Sequence, residues 1–192
     1  MNIFYLSHNP HECAAWHLDK HVTKMNIEYA QLLSTAHRLL DGTPQIVTTP
    51  RKKTLWRLSD DRETMVYKAA HVNHPSARWA RQGDANYRWL FQLWNALLAE
   101  YTHRYGKVHG CAKLLPALAS LPTQLPSAPF TTPPPAMPDI CKCSTAIESY
   151  QEYYRTHKRG IASWKRRSVP PFMMTTHKSS FPPRVHDILA TP

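Results

Sequence analysis

Five side chains early in the chain have the types and spacing for proton chemistry. His17, His21, Lys24, Glu28 and Gln31 follow one another at steps of 4, 3, 4 and 3. On an α-helix those steps place all five on one face, and the first four span about 17 Å at a 1.5 Å rise per residue. An ordinary solvated face carries Lys, Glu, Asp and Ser with little histidine. A row of two imidazoles, an amine and a carboxylate can supply a general base, a cation for phosphate or developing charge, and a proton shuttle. Three readings compete for this row: a solvated face with incidental histidines; a metal site on the His17/His21 pair, since i,i+4 histidines can share one ion, with His74, His11 or Asp19 as third ligand; and a metal-free catalytic row.

A second patch, His71-Val72-Asn73-His74-Pro75-Ser76-Ala77-Arg78-Trp79, reads as a helix end broken by Pro75 and rich in His, Asn and Arg. Loops held by rigid helices commonly carry function, so it suits a cleft wall; the plainer reading has Asn73 and Ser76 capping turns and His74 at the surface. His103, His109, His157, His177 and His186 read as incidental, and Tyr150, Tyr153 and Tyr154 as core by periodicity.

The elements that must position these groups are mainly helical. Residues 2–6 (NIFYL) read as a short strand or extended apolar entry. Asn9 or Ser7 caps a helix with Pro10 in its first turn. From there to Leu40 the apolar positions Leu18, Val22, Met25, Tyr29, Leu32, Ala36 and Leu39 keep one stripe, and Asp41-Gly42 supplies the stop. Residues 43–57, with Pro44, Pro50 and the basic cluster Arg51, Lys52 and Lys53, read as a loop. Asp60 and Glu63 have capping-box spacing for a helix running to about Val72, and a long helix is expected from Asp84 to Tyr105 with Gly106 ending it. Residues 114–138 hold eight prolines and no charged side chain, a polyproline-like strap. A last helix is expected from Ser144 to about Arg167, weakened at Gly160. The expectation is a mainly α, compact single domain: a helical core over 1–113, the proline-rich strap over 114–138, and a C-terminal helix with a basic tail over 139–192 packing on the core.

The 192 residues include 24 Lys or Arg against 13 Asp or Glu, a net charge of +11. Such an excess favours a polyanionic partner, usually nucleic acid. From Arg155 onward there are eight Lys or Arg and one acid, Asp187, hence +7 of that total. Basic residues alternate with aromatics at Trp56-Arg57, Arg78-Trp79-Ala80-Arg81, Tyr87-Arg88-Trp89 and Trp164-Lys165-Arg166-Arg167; cations hold phosphates and flat rings stack on exposed bases. The plain alternative is that the rings are core and the cations their solvated neighbours. No apolar run reaches the roughly 20 residues of a membrane span, and residues 1–10 lack the pattern of a secretory leader. Four cysteines, with only one residue between Cys141 and Cys143, fit neither a disulfide framework nor a zinc knuckle, so reduced thiols in a bacterial cytoplasm are expected.

The two patches resemble a group of small phage and bacterial proteins. The shared features are Asp19-Lys20-His21-Val22-x-Lys24-Met25-x-x-Glu28, then His74-Pro75-x-x-x-Trp79, and more loosely Tyr153-Tyr154 with Lys158 and Trp164. Some members carry the label pyrimidine-dimer DNA glycosylase, by similarity to the phage endonuclease V type. That resemblance implies an all-helical fold, an amine nucleophile and a glutamate on the first long helix, a role that falls on Glu28. In that type the nucleophile is the N-terminal α-amine; here Asn2 follows Met1, and the amine role passes to Lys24 or Lys20.

The leading expectation is a DNA-acting, phage-type enzyme working at a nucleobase or its glycosidic bond with no required cofactor. Glu28 is then the acid/base, Lys24 the nucleophile or charge stabiliser, and His21 and His17 tune or shuttle protons. His74, Arg78 and Trp79 hold an extruded nucleotide, while Arg81, Arg88, Lys165, Arg166 and Arg167 take the phosphates. The alternatives are a metal-dependent nuclease or hydrolase holding a divalent ion on His17 and His21, and a non-catalytic DNA-binding phage protein.

Overall fold

The computed structural model describes residues 1–48, 50 and 52–174. The basic-cluster residue Arg51, His177, His186 and the basic tail beyond Met174 lie outside the described residues. The architecture is mainly α, as the sequence indicates, with one two-stranded sheet among the described residues.

The chain enters through the core. Ile3, Phe4, Tyr5 and Leu6 are buried, but the segment joins no sheet, because side chains take its N–H groups instead. Asn2 N–H donates to Glu28 Oε2 at 3.2 Å, Phe4 N–H to the Tyr29 hydroxyl at 3.2 Å, and Leu6 N–H to Cys13 Sγ at 3.4 Å. The expected strand is therefore an extended entry whose polar backbone is satisfied one group at a time.

The single helix expected from Pro10 to Leu40 is two. Helix α1 spans Pro10–Trp16 and is capped by the Asn9 side chain, which accepts from His11 and Glu12 N–H. His17 then adopts an extended backbone (φ −60°, ψ 132°), and α2 runs from Asp19 to Asp41. A break in a helix strands carbonyls at its end, and here a buried guanidinium collects them. Arg104, wholly buried, donates to the carbonyls of Ala15 and His17 and to the carboxylates of Asp19 and Glu100 at 2.6–2.9 Å. Beyond the break the stripe behaves as its spacing demands: Leu18, Val22, Met25, Tyr29, Leu32 and Ala36 are all fully buried.

That stripe faces α5 (Asp84–Tyr105), which ends at Gly106 in the left-handed conformation (φ 67°), its N–H on the Thr102 carbonyl. Tyr87, Leu90, Trp94 and Leu97 form the inward face. The two helices are pinned by Asn26, whose side-chain amide donates to the Leu97 carbonyl at 3.3 Å while its backbone carbonyl accepts from Trp94 Nε1 at 3.0 Å. Helix α1 also packs on α5.

Elsewhere the structure departs from the sequence reading. Residues expected to loop form an antiparallel hairpin, β1 (Thr43–Thr48) paired with β2 (Lys52–Arg57), in the register Pro44↔Trp56 and Ile46↔Thr54. The helix expected from Asp60 to Val72 is one turn, α3 (Arg62–Met65), and the Arg38 guanidinium takes the carbonyls of Glu63, Val66 and Tyr67 that a longer helix would use. The Glu63 carboxylate pairs with Arg38 and Arg57 and accepts the Leu58 N–H. A short α4 (Pro75–Ala80) begins where His74 caps it. The proline-rich segment opens with one turn of helix, α6 (Leu115–Leu118). Beyond it the strap lies on the body: Asn86 accepts from Thr131 N–H, Asp84 accepts from Ala128 N–H, and Trp79 Nε1 donates to the Thr131 carbonyl. The last long helix, α7, covers only Ala146–His157, opened by a Thr145/Glu148 capping box; Gly160 sits in the 3₁₀ turn that follows. A final turn, α8 (Pro171–Met174), packs on α7.

Candidate active site

The break after α1 divides the expected row of five. His17 turns into the core, where both ring nitrogens are spent. Nδ1 donates to the Cys13 carbonyl at 2.6 Å, which fixes the tautomer, so Nε2 accepts from the Tyr29 hydroxyl at 2.8 Å; Tyr29 in turn accepts the Phe4 N–H. Burial, against a backbone carbonyl that works the other way, pushes the His17 pKa down to about 4. The row thus loses its first member as a proton shuttle, and the metal alternative loses a ligating nitrogen. Of the three candidates for its third ligand, Asp19 is committed to Arg104 and to the Lys165 N–H. No group of three or more His, Cys, Asp or Glu among the described residues is placed to hold a metal ion. Gln31, the last member, donates to the Lys68 carbonyl at 2.6 Å.

His21, Lys24 and Glu28 stay together on α2. Lys24 Nζ lies 2.9 Å from Glu28 Oε1, with the lysine side chain 69% exposed and the glutamate 17%. Glu28 Oε2 is held by the Asn2 N–H, so the extended N-terminal entry aims the carboxylate while leaving the amine in solvent. One turn earlier His21 is buried and neutral, its pKa lowered to about 2 by burial first, then by the neighbouring His17 ring once that is protonated, and by the charges of Lys158 and Lys24. Its Nδ1 meets the Tyr154 hydroxyl at 2.7 Å.

Residues that sequence reasoning assigned to the core, or saw only through the resemblance, complete this surface. Phe4 stacks on the His21 ring at 4.1 Å between centroids and lies nearly parallel to Tyr153 at 6.4 Å. Lys158 Nζ stands 4.7 Å from the half-buried Tyr153 ring centroid. The result is a mostly buried aromatic cluster flanked by two lysines, with only Tyr153 half-buried and a paired amine and carboxylate at its edge. The signal for Tyr153 and Lys158 existed only as a late Tyr-Tyr-x-x-x-Lys pattern; nothing local ties it to α2, 130 residues upstream.

His74 comes close to this cluster. Its pKa is lowered by burial and by the positive charges of the chain's α-amine and His71, and the Glu28 carboxylate opposes them. Its Nδ1 accepts the Ser76 N–H at 3.2 Å, so one nitrogen serves as the α4 cap.

The remaining residues expected to touch nucleic acid divide into exposed and committed groups. Arg78 is exposed. Trp79 is 3% exposed, inside the core and under the strap, and offers no face to a base. Arg81 spends its guanidinium on the carbonyls of Ala77 and Val72. Arg88 is exposed, 3.8 Å from the Asp84 carboxylate. Lys165 is exposed, 5.5 Å above the Tyr105 ring, and Arg166 donates to the His103 carbonyl. Arg167 forks onto both oxygens of the buried Glu100, which itself holds Arg104; that arginine closes a structural ion network.

No protein-family model matches this chain, and comparison with curated proteins and with solved structures returns no match. No helix among the described residues is long and apolar enough to cross a membrane.

Proposed function

We propose that this chain is a DNA-acting enzyme that breaks the bond between a nucleobase and its sugar, with Lys24 as the attacking amine and Glu28 as its proton partner. The observation that carries the reading is the Lys24–Glu28 pair at 2.9 Å, solvent-open at the amine and fixed at the carboxylate by the Asn2 N–H. The resemblance of the Asp19–Glu28 and His74–Trp79 segments to the glycosylase-labelled proteins points the same way, and the net charge of +11 suits a polyanion.

The chemistry balances with these two groups. Lys24 gives a proton to Glu28 and its free amine attacks C1′ of the sugar. The C1′–N bond breaks, and the base departs with the bonding pair and takes the second ammonium proton from Nζ. Glu28 then returns its proton to the ring oxygen, the sugar opens, and an iminium links Nζ to C1′. His21, neutral and fixed by Tyr154, packs the aromatic cluster beside the pair and shuttles no proton. Such chemistry requires the base out of the stack, and Lys158, whose ammonium lies over the half-buried Tyr153 ring, offers a cation for the displaced phosphate.

The test is Glu28→Gln. The amide oxygen can still accept the Asn2 N–H, so the fold and DNA affinity should persist while turnover on lesion-bearing duplexes falls about 10²- to 10⁴-fold. Equal loss of binding and turnover would refute the assignment. Unchanged turnover would mean that Glu28 takes no part, and DNA binding without turnover in the unaltered chain would make it a binding protein.

A further inference from the structure

The β1–β2 hairpin is poorly explained by the fold. Every described residue in its strands is exposed or half-buried, including Ile46 at 61% exposure. An isolated two-stranded ribbon is marginally stable in water, so this one depends on its base. There the buried Arg38 donates to the Trp56 carbonyl and pairs with Glu63, which also takes Arg57 and the Leu58 N–H. The stem is clamped to α2 while the outer half stands free of the core. No acidic residue occurs from Thr43 to Arg57.

We infer that this hairpin is a duplex-binding arm that enters the major groove of DNA; the inference rests on DNA as the partner in the reading above. A ribbon has strands about 4.8 Å apart and a thickness of about 10 Å with side chains, which fits a groove about 12 Å wide and not one about 6 Å wide. Pairing places Lys52 opposite Thr48 and Lys53 opposite Val47. Successive strand residues point to opposite faces, so the two lysines leave opposite faces of the ribbon. With its two faces toward the groove walls, the ribbon offers one cation to each. Arg57 is excluded from this role because Glu63 and Gln45 already hold it. From Glu28 to the end of α2 at Asp41 is about 20 Å of helix at 1.5 Å per residue. The arm therefore grips duplex flanking the reacting nucleotide by several base pairs.

The experiment measures the salt dependence of binding to a duplex of about 20 base pairs for the full chain and for the double variant Lys52→Gln/Lys53→Gln. Lys52→Glu/Lys53→Glu serves as a second variant, and helical circular dichroism confirms that each is folded. Two lost phosphate contacts should lower the log–log salt slope by about 1.8, a loss of roughly 30-fold in affinity at 0.15 M salt. The charge-reversed pair should lose more, and single-stranded DNA should show little of either effect. An unchanged duplex slope in folded variants would overturn the arm while leaving the active-site reading intact. Equal losses on single strands would overturn the groove assignment. No DNA binding by the unaltered chain would instead overturn the reading on which the arm rests.

Discussion

Replacing His17 by Gln should flatten the acid limb of the stability curve. The structure gives that residue one permitted state: Nδ1 donates to the Cys13 carbonyl, and Nε2 accepts from a Tyr29 hydroxyl that already accepts the Phe4 N–H. Adding a proton at Nε2 turns that acceptor into a donor facing a hydroxyl with no other acceptor in hand, in a fully buried site. The pKa accordingly falls from about 6.5 to about 4, with burial the leading cause, the Cys13 carbonyl opposing it, and the Arg104 and Glu100 charges acting in opposite senses. The unfolded chain protonates His17 below about pH 6.5 and the native chain does not, so the unfolded state binds the extra proton and stability drops as pH falls. At about 1.4 kcal/mol per pH unit, the shift removes roughly 3 kcal/mol between pH 6.5 and 4, a large share of the 5–15 kcal/mol typical of a domain. His21 and His37, lowered to about 2 and about 4 chiefly by burial, add to the slope in the same sense. Between pH 6 and 5, above the carboxylate range, His17→Gln should lose about 1 kcal/mol per pH unit less than the unaltered chain. Urea unfolding at closely spaced pH values measures both slopes; any fixed cost of the substitution moves the whole curve and leaves its slope alone. Identical slopes would refute the claim that His17 is held neutral in the core, and with it the reason for removing it from the catalytic row.

The other expectations separate packing from function. Arg104→Met should cost about 3–5 kcal/mol, because it leaves Asp19, Glu100 and two carbonyls without their shared partner; denaturant unfolding at pH 7 checks it, and a loss under 1 kcal/mol would mean that the helix break holds itself. Trp79→Ala should cost about 3–5 kcal/mol as a core truncation, whereas Arg78→Ala should be nearly neutral in stability and lower the salt slope of DNA binding by about 0.9. A stable Trp79→Ala protein with lost DNA binding would restore Trp79 to the interface. Asn86→Ala should loosen the strap by about 1–3 kcal/mol, since Thr131 N–H loses its acceptor, and limited proteolysis should then cut between residues 120 and 137. Unchanged resistance would place the strap's anchorage elsewhere.

The sequence made some of this legible and hid the rest for physical reasons. Helix α5 and its Gly106 stop follow directly from 3.6-residue periodicity and a left-handed cap, and the Lys24–Glu28 pair from i,i+4 spacing. The break at His17 carries neither Gly nor Pro, and the apolar stripe resumes in phase at Leu18; what bends the chain is Arg104, 87 residues away, binding the His17 carbonyl. The hairpin was masked by Pro44, Pro50 and the basic cluster, although Ile46-Val47 and Leu55-Trp56 flank them with strand-forming residues. Glu63 had the spacing of a cap and was claimed instead by Arg38. The aromatic cluster is the least legible part, since Phe4, His21 and Tyr153 meet only once the N-terminal segment, α2 and α7 have packed.

The most direct test of the central claim is borohydride trapping on labelled duplexes carrying ultraviolet-damaged, abasic or intact strands. Borohydride reduces an imine between an amine and C1′ to a stable covalent bond, so a protein–DNA adduct reports the proposed intermediate. Lys24 as the attacking amine gives an adduct on the damaged or abasic strand that maps to Lys24 and disappears in Lys24→Ala. No adduct from a chain that binds those duplexes, or an adduct that persists undiminished in Lys24→Ala, would contradict it.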